Sequence, residues 1–77
     1  MDDLRAVSKF VVYKHPSDYP GDFVVRRHVA GRGTVKIDPE PWAVVGSLAA
    51  ARGLVPEGLV RLARDPTDDP VIVESWI

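Results

Sequence analysis

The side chains best suited to chemistry lie in the first half of the chain. Arg26-Arg27-His28 is followed by Arg32 and Lys36. Side chains alternate along a strand, so Arg26 and His28 would share one face and Arg27 would take the other. With Tyr13 nearby, such a face resembles in outline the small sheets that hold single-stranded nucleic acid, where cations meet phosphates and rings stack on bases. The chain has no RNP-like sequence, and its net charge is −1, so the overall basic field of a nucleic-acid binder is missing. The plainer expectation is a solvated sheet face whose arginines pair with Asp22 or Glu74, each pair worth about 0–1 kcal/mol.

Catalysis needs a nucleophile with a base, or an acid–base pair, in a cleft. Cysteine is absent, and Ser8, Ser17, Ser47 and Ser75 have no elbow context. The remaining arrangement brings His15 and His28 together across a hairpin, with Asp18 orienting one of them. A chain this small rarely offers a deep pocket, so the expectation is no catalytic residue and no enzyme. Two histidines are too few for a zinc site unless carboxylates help. Asp65, Asp68 and Asp69 could offer oxygen ligands, but not at calcium-loop spacing, and Pro66 and Pro70 make that segment a turn. Gly31-Arg32-Gly33-Thr34 lacks the gap and the Gly-Lys-Ser/Thr of a phosphate loop. No metal and no cofactor is expected.

These residues need elements to position them. Phe10–Lys14 is rich in β-branched and aromatic residues and predicts a first strand. Phe23 through Val29 or Ala30 predicts a second. Gly31-Arg32-Gly33 breaks it and would present Arg32 freely. Thr34–Ile37 alternates and predicts a third strand, so the simplest arrangement is an antiparallel meander. Asp38-Pro39-Glu40-Pro41 has the form of a helix start: Asp38 can cap, Pro39 fits the first helical position and Glu40 suits the positive end of the dipole. Trp42, Val45 and Ala49, beside Val44, Leu48 and Ala51, make a broad apolar face and predict a helix from about Pro39 to Arg52. Trp42 would cap the core. Gly53 in the left-handed conformation would end the helix, and Pro56 prevents continuation.

Leu59–Leu62 predicts a short fourth strand and Val71–Ile77 a fifth. Alternation in the fifth puts Val71, Val73 and Ile77 on one face and Ile72, Glu74 and Trp76 on the other. The expected fold is α+β: one antiparallel-rich sheet in the order ββ(β)αββ, with a single helix packed on one face.

The segment between the first two strands sits within YKHPSDYPGDFVVRR, residues 13–27. Pro16 and Pro20 cannot occupy the middle of a ladder. Tyr19-Pro20-Gly21-Asp22 suits a type II turn, with Gly21 supplying positive φ. The result is a rigid hairpin loop, and loops on rigid scaffolds often carry function. His15, Asp18 and Tyr19 would form its recognition surface, because tyrosine anchors interfaces well. Trp76 has two possible places. If the helix covers the Val71/Val73 face, Ile72 and Trp76 form an exposed apolar patch of the kind that marks a partner or a dimer. Otherwise Trp76 folds into the core.

At 77 residues the chain is one domain, 1–77, with a thin core. Small scaffolds often add disulfides, metals or partners; without cysteine, self-association is the support that remains. No apolar run approaches the roughly 18 residues of a membrane helix, and MDDLRAVSK lacks the basic start of a signal peptide. The expected protein is soluble, cytoplasmic and not bound to membranes. Residues 1–36 carry a formal +3 and residues 37–77 a formal −4, an imbalance that internal pairing would absorb.

The segments Tyr13–Arg26, Pro56-Glu57-Gly58-Leu59 and Asp68–Ile77 resemble the two ends of a group of short uncharacterised bacterial and phage proteins. The likeness lies toward both ends of the chain, and the alanine-rich middle departs from it. It implies a shared fold, with the loop and the C-terminal strand as signature elements, and no activity. The residues together suggest a small non-catalytic interaction module that binds a protein partner or itself. Its surface would comprise His15, Asp18, Tyr19, Arg26, Arg27 and Trp76. The alternative is nucleic-acid binding through Arg26, Arg27, His28, Arg32 and Lys36.

Overall fold

The computed structural model describes residues 7–31 and 33–77. Arg32, expected at a turn, lies outside the described residues. The elements are β1 (Val7–Lys14), β2 (Phe23–Gly31), β3 (Thr34–Ile37), β4 (Ala43–Val45), α1 (Leu48–Gly53), β5 (Arg61–Ala63) and β6 (Ile72–Trp76). They form one antiparallel sheet in the order β3-β2-β1-β6-β5. β3 and β4 share the outer edge of β2, pairing with residues 28–31 and 23–25 respectively. The α+β architecture, the β1-β2-β3 meander and the single helix on one face agree with the sequence reading.

β-Branched residues set the register where the sheet is driest. Val12 pairs with Val25, and both are fully buried, in a cluster with Phe10, Ala51 and Val55. Burying one such side chain stabilises by about 1.5–3 kcal/mol. Phe23, Val45, Leu48, Leu59, Val73 and Trp76 pack around this cluster.

The helix begins much later than expected. Asp38 N–H donates to Arg27 O (3.0 Å), and Trp42 N–H donates to Val25 O (2.7 Å). The outer side of β2 therefore continues to pair on both sides of Asp38-Pro39-Glu40-Pro41, and the prolines occupy a bulge between the two pairings. Their missing N–H groups suit a gap in a ladder as well as a helix start. Ala43–Val45 then pairs as β4 instead of entering a helix. The true cap is Ser47, whose Oγ accepts the Ala50 N–H at 3.1 Å. Gly53 does not take positive φ; Leu54 closes the helix at φ −102°, and positive φ occurs instead at Gly33 and Gly58. Trp42 lies edge-on to Phe10 with centroids 4.9 Å apart. Its indole N–H donates to Leu54 O at 2.8 Å, which ties the end of the short helix to the sheet.

A bulge also overturns the simple alternation in β6. Val12 pairs with Glu74, but Tyr13 pairs with Ile72, so one extra residue lies between them. Glu74 and Trp76 thereby fall on the helix side with Val73, while Ile72 faces the open side with Tyr13. The exposed Ile72/Trp76 patch does not form, and Trp76 is half-buried against the core.

The hairpin loop is ordered by a different turn from the one expected. Asp22 N–H donates to Tyr19 O at 3.1 Å, but Gly21 has no positive φ, which excludes type II. The positive φ falls on His15 (51°), whose N–H donates to Asp22 O at 2.8 Å. Among the described residues, no helix is long and apolar enough to cross a membrane.

Candidate binding site on the open face

The sheet face turned away from the helix carries Val11 and Tyr13 from β1, Arg26 and His28 from β2, and Ile72 from β6, as the pairing register dictates. A cavity of about 540 Å³ opens there. Tyr13 and Arg26 line it from the strands. Pro16, Ser17 and Asp18 enter from the hairpin loop, Ile37 from the end of β3 with Asp38 and Pro39 from the bulge that follows it, and Asp69 and Val71 from the loop before β6. Three loops of distant sequence thus converge over one piece of rigid sheet. Its size falls within the roughly 300–1,000 Å³ of ordinary ligand sites.

The charges at this cavity are partly matched. Arg26 pairs with Asp18, the arginine side chain 17% and the carboxylate 53% exposed. Arg27 Nε donates to Asp38 Oδ2 at 2.9 Å. Asp69 Oδ1 accepts the Val71 N–H at 3.1 Å, and no ion pair among the described residues engages it. Tyr13 Oη and His28 Nε2 are hydrogen-bonded at 3.0 Å. Burial raises the Tyr13 pKa, opposed by Arg26 and reinforced by Asp69 and Asp68. Burial lowers the His28 pKa, with Lys9 and Arg26 adding to the effect. The pair is therefore neutral near pH 7. Ser17 brings an aliphatic hydroxyl to the cavity, while the His28 Nε2 is engaged by Tyr13.

The expected site residues are only partly brought together. Asp18 and Arg26 meet. Tyr19 is half-buried and accepts the Asp22 N–H. His15 packs edge-on against Phe23, with centroids 5.4 Å apart, and does not approach His28, which lies opposite Lys9. Trp76 belongs to the helix side. The basic segment is split by alternation: Arg26 and His28 face the cavity side, while Arg27 and Lys36 lie on the other, Lys36 opposite Val29. Asp38 was read as a helix cap, and Asp69 as part of a turn. Nothing in their spacing shows that they line one cavity with Tyr13.

The acidic loop closes on itself. Asp65 Oδ1 accepts both the N–H and the hydroxyl of Thr67 (2.8 and 2.6 Å), and the hydroxyl contact holds its carboxyl below the usual range. Asp68 Oδ2 accepts the Asp65 N–H at 3.1 Å. No group of three or more metal-ligating side chains exists among the described residues.

A second charged cluster lies on the helix side, where Glu74 pairs with Arg52 and Arg61 and not, as expected, with the arginines of β2. Glu74 is 1% exposed. Arg52 donates to both its oxygens (3.0 and 2.7 Å), and the Trp76 indole donates at 2.8 Å. Arg61 stands 3.6 Å away. Arg52 lowers the Glu74 pKa against the opposing effect of burial. This cluster joins α1, β5 and β6, and none of its members lines the open-face cavity. No protein-family model, no curated protein and no solved structure matches the chain, so the likeness of its ends to short bacterial and phage proteins rests on the quoted residues alone.

Proposed function

We propose that the chain is a non-catalytic interaction module that binds a protein partner through the cavity on the open sheet face. The observation that carries this reading is the convergence of three ordered loops on one cavity whose walls mix apolar and charged groups. Such a site offers buried area together with a few groups that fix orientation. The sheet holds it in place, so little ordering cost accompanies binding.

Nucleic-acid binding is less well supported. Phosphates would have to displace Asp18 from Arg26 and Asp38 from Arg27, and the basic residues do not share a face. The test is a selection from a displayed peptide library on the immobilised protein, followed by amide mapping of the enriched peptides. Perturbation centred on Tyr13, Arg26 and Ile37 is the expected result. Peptides that all map elsewhere, or oligonucleotides that bind with steep salt dependence, would remove the proposal.

A further inference from the structure

We infer that the open-face cavity receives a basic side chain, lysine or arginine, from an extended segment of the partner. This deepens the reading above and rests on it. Four charged side chains line the cavity: Asp18, Asp38, Asp69 and Arg26. Arg26 is matched by Asp18, and Asp38 is matched by Arg27 from outside the lining. Asp69 is left as the carboxylate that no ion pair among the described residues engages, and Asp68 adds negative charge beside it in sequence. An anion would enter a field already negative. A cation would complete it.

The uncharged lining narrows the choice further. Ile37, Pro39 and Val71 line the same cavity as Asp69 with apolar side chains, and Tyr13 adds an aromatic one. Lysine and arginine match that profile, with an aliphatic stem for the walls and a charged tip for the carboxylate. The tip can also meet the face of the phenol ring. The volume exceeds that of one side chain, which leaves room for the flanking backbone of a peptide.

The experiment uses the full chain and three blocked tripeptides that differ only at the centre: lysine, norleucine and glutamate. Amide shifts are followed by NMR. The lysine peptide is expected to shift Tyr13, Arg26, Ile37 and Val71 saturably, with the norleucine peptide about fivefold weaker, the upper range for an exposed ion pair. Asp69→Asn keeps an oxygen to accept the Val71 N–H, so the fold is retained; it should weaken the lysine peptide about threefold to fivefold. Ile37→Lys, at an exposed strand position, places an ammonium group at the wall and should abolish binding. The inference is overturned if the lysine peptide gives no saturable shift, or if norleucine or glutamate binds as well. It also falls if Asp69→Asn leaves affinity unchanged. Equal binding of norleucine at the same amides would overturn only the basic occupant and leave the interaction module standing. Failure of every selected peptide to map to this face would remove the module itself.

Discussion

Two arginine–carboxylate clusters lie on opposite faces of the sheet, and they are built in reverse. On the helix side the carboxylate of Glu74 is buried and Arg52 reaches it with a side chain 44% exposed. On the open side Arg26 is the sheltered member and Asp18 is the exposed one. Glu74 has its charge met from α1 and β5 and its second oxygen met again by Trp76. Such a buried group is costly to disturb, because whatever partner is lost is not replaced by water. The open-face pair sits beside a cavity that water reaches, so its contribution to stability is small. One cluster clamps elements together. The other helps to shape a surface that a partner can enter.

The comparison predicts a ranking of effects. Val25→Ala removes buried methyl groups from the helix-side core and should cost about 2–4 kcal/mol in urea denaturation. Glu74→Gln, which keeps the shape but loses charge-assisted hydrogen bonds, should cost about 1–3 kcal/mol. Within that cluster Arg52→Ala should destabilise more than Glu74→Leu. The first strands a buried carboxylate, whereas the second leaves two arginines already half in water. The reverse order would show that the arginine stem, and not the carboxylate, is the sensitive part.

Acid should reveal both faces in sequence. The folded pKa of His28 is lowered from 6.5, mainly by burial, so its contribution is complete above that value and begins to be lost as pH falls below it. The folded pKa of Glu74 is lowered from 4.5, first by Arg52, so its contribution is complete above that value and declines at lower pH. Urea midpoints measured against pH should fall in two stages, and His28→Gln should remove only the upper one. A single stage unaffected by that change would show that the Tyr13–His28 pair is not linked to folding. The smallest effect belongs to the open face: Asp18→Asn should change stability by less than about 1 kcal/mol. A loss as large as that of Glu74→Gln would erase the contrast between the clusters.

Much of the frame was legible. FVVYK and FVVRR announce β1 and β2, because β-branched and aromatic runs bounded by turn residues pack well only as strands. The α+β class followed from their order. The helix boundary was not legible, since Asp38-Pro39-Glu40-Pro41 satisfies the local rules for a helix start and equally those for a proline bulge at a sheet edge. The free edge of β2 decided between them by offering carbonyls to Asp38 and Trp42. At the candidate site, Asp18 and Arg26 were both foreseen as functional, but not as partners. Ile37 and Val71 were not foreseen, because each is ordinary in its own segment, and Asp69 was considered only as an oxygen ligand within its own loop.

The sequence by itself determined β1, β2, β3 and the proline-bounded loop between the first two, because these depend on local propensity, on alternation and on proline geometry. Only the tertiary structure decided which side chains share a face. One extra residue in β6 sent Glu74 and Trp76 to the helix side and left Ile72 with Tyr13. A bulge is settled by hydrogen bonds to a partner strand far away in the chain, so no local pattern records it.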